Sequence, residues 1–404
     1  MVLVPPLPGW PCAPHISSDG KYLAATLSTH VVKVYQRGEG HQAGSVGALL
    51  ELTGHGGAIT DVTFPLPEEP YLVTSSSQDG TVRLWDCRAA EGSREVQRYT
   101  ASFAKSYASA TLGGGNDHLV CGAWNEQILF WDRRAGTGLQ VFEDSHSEEV
   151  TRVRFQPGRR QRLFTASVDG LACAFDLGGC PADINDEDGL LAVMTTDTAI
   201  SEMGFCARPG GGSGESDVLW VLTGNEEMWV YDAGANAETF GDQLAHVPHT
   251  REAARRAAHA AGHVPKPVPP PPGHEPEPGE EPEMDGLAHR VDYLIGCYAS
   301  PGAEAVYVAA GTQAGTVGVF PLVSSDGLGA PVAVLEGGHK DIVRAMAWSP
   351  GAAQGPVTGA EDSRVCVWGA PGDATDGRAG RGGTAAGGKA SLGATRGERR
   401  HSPY

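Results

Sequence analysis

Three stretches of this chain repeat one spacing of the same residue types, and nothing else in the sequence limits its fold as tightly. The first has Gly54-His55, then AITDVTF ending at Phe64, then YLVTSSSQDGTVRLWD closing at Asp86. The second runs from His146 through EEVTRVRF to LFTASVDGLACAFD, closing at Asp176, and the third from Gly338-His339 through DIVRAMAW to VTGAEDSRVCVW, closing at Trp368. From each His to the Asp of the following turn (Asp79, Asp169, Asp362) the interval is 24, 23 and 23 residues. From each His to the closing aromatic (Trp85, Phe175, Trp368) it is 30, 29 and 29. Within each unit, apolar residues alternate with polar ones, as in TVRLW, because a pleated strand sends successive side chains to opposite faces.

Four weaker copies fill the gaps. SSDGKYLAATLSTHVVKVY closes at Tyr35, DHLVCGAWNEQILFWD after Trp131, VLWVLTGNEEMWVYD after Tyr231 and AVYVAAGTQAGTVGVF at Phe320. The chain therefore contains seven closing strands: Tyr35, Trp85, Trp131, Phe175, Tyr231, Phe320 and Trp368. Composition agrees, since 56 Gly and 28 Pro in 404 residues supply turns for many short strands rather than long helices.

These units resemble WD40 repeats, and the resemblance implies an all-β fold, a seven-bladed β-propeller over residues 1–369. The N-terminal segment is expected to supply the outer strand of the last blade. In WD40 repeats the His, the turn Asp, a strand hydroxyl and the closing Trp form a hydrogen-bonded chain. The resemblance assigns His55, Ser77, Asp79 and Trp85 to it in blade 2, and His146, Ser167 and Asp169 in blade 4, where Phe175 replaces the Trp. Blade 7 has His339, Asp362 and Trp368, with Thr358 the nearest hydroxyl. These residues are read as scaffold. EEVTRVRF with SVDGLACAFD, DYLIGCYA leading to AAGTQAGTVGVF, and LEGGHKDIVRAMAW with TGAEDSRVCVW are further similar to the family named WD repeat-containing protein 89.

Two segments depart from the repeat. Asp232 and Phe320 are 88 residues apart, about two repeats, which places an insertion at about 233–288. Residues 250–261 (TREAARRAAHAA) predict a helix of about three turns with a Thr cap and no apolar stripe to bury, followed by the Pro-rich and acidic VPKPVPPPP and HEPEPGEEPEMD. The insertion is expected to be largely disordered, so that removal of residues 240–284 leaves the propeller folded. The Gly/Ala-rich residues 370–404 are likewise expected to be a disordered tail.

No catalytic constellation is present in the sequence. The glycines at 210–214 have no phosphate-loop Lys, no Ser sits in a G-x-S-x-G elbow, and the eight Cys include no C-x-x-C pair. His246, His249, His259 and His263 have metal-compatible spacings, but Pro248 and Gly262 interrupt them. The reading is a non-enzyme with no cofactor and no metal. The start MVLVPPLPGW predicts no secretory signal, no apolar run approaches a bilayer span, and scattered Cys suit a reducing compartment. A monomer of the cytoplasm or nucleus is expected. Thirty Lys+Arg against 49 Asp+Glu give a net charge of −19, which argues against nucleic acid as the propeller's partner, despite one Arg381-Gly382-Gly383 triplet in the tail.

The partners are then other proteins, and the primary expectation is a non-catalytic protein-interaction scaffold. Trp85-Asp86-Cys87-Arg88 and Trp131-Asp132-Arg133-Arg134 both read W-D-x-R at the close of successive blades. This doubled motif resembles that of substrate receptors that dock on the adaptor of cullin-4 ubiquitin ligases, which would make Asp86, Arg88, Asp132 and Arg134 docking residues. The acidity supports another expectation, an assembly chaperone for a basic ribosomal or chromatin protein.

Overall fold

The computed structural model describes residues 2–3, 11–17, 20–37, 46–178, 185–210, 217–234, 236–264, 266–267, 284–299, 303–348, 355–362 and 364–369. The acidic run and the Gly/Ala tail lie outside these residues. Among the described residues, apart from the short pair Lys266–Pro267 and Met284–Asp285, the strands form seven antiparallel sheets in chain order, and the first strands of successive sheets touch one another in a closed ring, so the architecture is a seven-bladed propeller.

Blade 1 comprises Pro11–Ile16, Tyr22–Leu27, Val32–Arg37 and Val46–Leu52. Blade 2 has Ile59–Thr63, Leu72–Ser77, Val82–Asp86 and Glu95–Tyr99, and blade 3 has Ser109–Gly113, Leu119–Trp124, Gln127–Asp132 and Gly138–Phe142. Blade 4 is Val150–Gln156, Arg159–Ser167, Leu171–Asp176 and Leu190–Thr195, and blade 5 is Ile200–Cys206, Val218–Thr223, Met228–Asp232 and Gln243–Val247. Blade 6 is Tyr293–Tyr298, Tyr307–Gly311, Val317–Ser324 and Ala333–Leu335, with the short Gly327–Leu328 also on its third strand. Blade 7 is Val343–Ala347, Val357–Ala360 and Arg364–Val367, and Val2–Leu3 pairs with the last of these. The N-terminus thus closes the ring, as the repeat count requires.

Each of the seven closing aromatics sits on, or one residue beyond, a third strand and is buried. Six of the rings pack against a neighbouring blade, while Phe320 packs against residues 254, 258 and 287–291 of the insertion. Phe175, for example, packs with Phe130, Phe142 and Val153 across the blade 3 to blade 4 boundary. Burying such a ring contributes roughly 1.5–3 kcal/mol each, so the ring of blades is held chiefly by these inter-blade clusters.

The insertion is more ordered than its composition suggests. Gln243–Val247 is the outer strand of blade 5, pairing with Met228–Asp232, and the helix Thr250–Ala260 follows it directly. The expectation that residues 240–284 are dispensable is therefore corrected, since their removal takes away a blade strand. The helix also has the apolar stripe that the sequence reading denied it. Ala254 and Ala258, one turn apart, are fully buried against Leu287, Ala288, Val291, Ala310 and Phe320 of the return segment and blade 6. Alanine allows a helix backbone to come this close, which is why the stripe is narrow and reads as surface. Thr250 ties the helix start to blade 5. Its hydroxyl donates to the Val247 carbonyl at 2.6 Å and accepts from the Met228 N–H at 3.0 Å.

Candidate functional site

A propeller presents two rims, one formed by the turns between second and third strands together with the crossings to the next blade, the other by the remaining loops. The first carries the His–Asp chains. In blade 2, His55 Nδ1 lies 3.0 Å from Asp79 Oδ2 and Nε2 lies 2.8 Å from Ser75 Oγ, which accepts from Trp85 Nε1 at 2.8 Å. Blade 7 reproduces this with His339, Asp362 at 3.2 Å, Thr358 at 2.7 Å and Trp368 at 2.8 Å. In blade 4, His146 meets Asp169 at 3.0 Å and Thr165 at 2.7 Å. Phe175 ends that chain without a donor.

The hydroxyl assignments Ser77 and Ser167 are corrected to Ser75 and Thr165. Ser77 and Ser167 lie two residues further along, at the turn, where they donate to the carbonyls of Gly57 and Glu148 and accept from the N–H of Asp79 and Asp169. A sequence signal existed. Thr358 stands four residues before Asp362 and ten before Trp368, and the same offsets from Asp79 and Asp169 select Ser75 and Thr165.

Burial lowers the pKa of His55, His146 and His339 despite their carboxylate partners, so the rings are neutral, with Nδ1–H donating to Asp and Nε2 accepting from the hydroxyl. Burial works against the Asp79 charge, but hydrogen bonds from Thr81, the Gly56 N–H and His55 hold its carboxyl well below the usual range. The unfolded chain binds protons at these His near pH 6.5 and the folded one does so less readily. Stability is therefore present above about pH 6.5 and lost as the pH falls below it. The thermal midpoint should be lower at pH 5.5 than at pH 7.5, measured at about 0.5 M salt to mute repulsion among surface carboxylates. A midpoint unchanged or raised at pH 5.5 would contradict neutral buried His.

Along the ring of first strands lies a charged cluster that the sequence reading missed. Arg154 of blade 4 forks onto Asp61 of blade 2 at 2.6 and 3.0 Å, and both bond Ser109 of blade 3. Arg152 forks onto Glu202 of blade 5 at 2.7 Å to each oxygen. These forks tie blades 2 to 5 together. His15 of blade 1 faces it, and burial with the nearby Arg154 pushes its pKa down to about 4.

The opposite rim holds the W-D-x-R residues. Asp86 accepts from the Arg88 backbone N–H at 2.8 Å, and the Arg88 guanidinium forks back onto it at 3.1 and 2.8 Å. The same guanidinium lies 3.3 Å from the centre of the Tyr71 ring. Asp132 accepts from the N–H groups of Arg134 and Ala135 at 2.7 and 2.8 Å, and the exposed Arg134 side chain makes no ion pair with a described residue. Asp176 and Asp232 cap the corresponding turns of blades 4 and 5 with no Arg in that place. The Asp of this motif is thus first a turn cap, while Arg88 and Arg134 share one rim on adjacent blades.

The His–Asp rim has a second feature. Around blades 3 to 5 its loops 125–126, 143–149, 168–170 and 196–199 contain seven acids and no Lys or Arg. Glu126, Glu143, Asp144, Glu148, Glu149 and Asp197 are all exposed. At one end of this arc Phe103, 48% exposed, packs on Trp124 with ring centres 5.2 Å apart. The loop that carries Phe103 is anchored on both sides of it. Ala104 and Tyr107 beside it are buried, and the Tyr107 carbonyl accepts from Thr60 at 2.6 Å. An exposed aromatic on an anchored loop next to exposed carboxylates can take up an apolar side chain flanked by cations.

Among the described residues no cluster of three or more His, Cys, Asp or Glu could hold a metal, and no helix is long and apolar enough to cross a membrane. The family model described as WD domain, G-beta repeat matches residues 47–86 and 329–369. The chain is 32% identical over 369 residues to the WD repeat-containing protein GTS1 of Arabidopsis thaliana, covering 89% of this chain and 80% of that protein. It is 25% identical over 355 residues to the WD repeat-containing protein 89 homolog of Dictyostelium discoideum, covering 87% and 81%. Among solved structures, a chain of the Crystal Structure of Mitotic Checkpoint Complex is similar with a TM-score of 0.58 at 16% identity over 91% of both chains, a likeness in fold alone. With seven blades, three His–Asp chains and a relative matched over most of its length, the chain belongs to the family of WD repeat-containing proteins, as a WD40-repeat β-propeller.

Proposed function

We propose that this propeller is a protein-interaction scaffold whose principal binding face is the acidic arc over blades 3 to 5, and that it receives a basic segment of a partner protein. The observation that carries the reading is the seven acids with no Lys or Arg in four loops of one rim, next to the exposed Phe103 and the half-buried Trp124. Cationic side chains would be steered by the carboxylates and an apolar one seated on the aromatic pair. This favours the chaperone-like expectation, in which the partner is a basic protein of the ribosomal or chromatin kind.

Docking to a ligase adaptor has less support. Arg88 is already forked onto Asp86 and stacked on Tyr71, so an adaptor would have to displace both contacts. Affinity capture with quantitative mass spectrometry separates the two readings. The variant Phe103→Ala/Glu148→Lys/Glu149→Lys should lose the basic proteins that the wild type retains, while Arg88→Ala/Arg134→Ala keeps them. The reverse pattern, with an adaptor lost only from the Arg variant, would favour the ligase reading and overturn this one.

A further inference from the structure

The outer strand of a blade is an edge, and natural sheets guard such edges with charge, shortness or cover. In blade 2 the edge strand Glu95–Tyr99 carries Glu95 and Arg98, paired at 2.9 Å. In blade 5 it is covered, because the His246 N–H donates to the Ser325 carbonyl at 2.7 Å. In blades 6 and 7 it is three and two residues long. Blade 3 exposes no large apolar residue on Gly138–Phe142. Among the described residues blade 4 has none of these guards. Leu190–Thr195 (LLAVMT) is six residues long and uncharged, with Leu190, Leu191 and Val193 exposed by 43, 44 and 47%.

The pairing register explains the exposure. Val193 lies opposite Cys173 and Leu190 opposite Phe175, whose side chains belong to the cluster between blades 3 and 4. Val193 and Leu190 therefore project on that same face, beyond the reach of blade 3, while Met194 on the other face is buried against blade 5. A bulge between Ala174 and Phe175 sets Leu191 out of the alternation. Acids bracket the strand, with Asp186, Glu187 and Asp188 before it and Asp197 after it.

We infer that the blade 4 edge is a second docking site, which binds an extended segment of a partner protein as a fifth strand, the segment carrying alternate Val, Ile or Leu side chains and Lys or Arg at both ends. Backbone bonds to the open edge would supply affinity, and side chains resting on Leu190 and Val193 would supply register. Charge selects the occupant. Two copies of this edge paired antiparallel would bring Asp188 near the other copy's Asp197, whereas basic ends meet acids at both ends in either direction. The site shares only Asp197 with the acidic arc, the rest of which lies on a rim rather than on the circumference.

The test uses the full chain and the fluorescent peptide Lys-Lys-Val-Thr-Val-Thr-Val-Lys-Lys. Anisotropy titration should show saturable binding that weakens by about tenfold or more in Val193→Lys and also when alternate peptide nitrogens are methylated. Phe103→Ala/Trp124→Ala should bind it as the wild type does. Val193→Lys replaces an exposed side chain, so its melting midpoint should match the wild type, and Val193→Thr serves if it does not. Absence of binding, or equal binding by the methylated peptide or by both Val193 variants, would overturn the proposal. A concentration-dependent dimer in sedimentation, abolished by Val193→Lys, would overturn it too, by assigning the edge to a second copy.

Discussion

Replacing Arg154 with Ala should destabilise the propeller by about 3–5 kcal/mol, because it strands the Asp61 carboxylate in the inner ring. Asp61 is buried, and its charge is held against the cost of burial by Arg154 and Arg152 and by hydrogen bonds from Arg154 and Ser109. With the guanidinium gone, the Ser109 hydroxyl alone remains to satisfy it among its described side-chain partners. The double variant Asp61→Leu/Arg154→Met should recover much of the loss, since no charge is then left without a partner. Denaturant midpoints measure both. An Arg154→Ala midpoint equal to that of the wild type would show that the fork contributes nothing to joining blades 2 and 4.

The second large effect concerns the helix Thr250–Ala260. Ala254→Glu places a carboxylate at a fully buried position against Leu287 and Phe320 and should cost at least about 2 kcal/mol. Ala260→Glu, on the exposed end of the same helix, should stay within about 0.5 kcal/mol of the wild type. Equal midpoints for the two variants would mean that the helix does not pack on blade 6.

These two sites are also where the sequence was least legible. The blades could be read because each one repeats its chemistry at a fixed interval, so that Trp85, Phe175 and Trp368 fall at matching places and each strand alternates. Ring closure by Val2–Leu3 followed from the count of closing strands. The Asp61–Arg154 fork joins residues 93 positions apart in blades that are not sequence neighbours, and no periodicity marks it. The helix was misjudged because two alanines make a real but slender apolar stripe. Ser75 and Ser77 lie on the same strand face, so alternation could not choose between them, and only the offset fixed by Thr358 could. The acidic arc was legible as a total of −19 but not as a place, because its acids come from four loops that meet only in the folded ring.

The central claim is that these carboxylates bind a basic segment, and salt tests it most directly. The Kd of the most abundant basic protein captured by the wild type should be measured by titration between about 50 and 300 mM salt, a range over which the Debye length falls by more than half. The account predicts that affinity falls steeply with salt, and that Glu148→Gln/Glu149→Gln weakens binding at low salt and flattens the slope. A Kd that barely changes across this range, or a slope identical in wild type and variant, would contradict binding through the acidic arc.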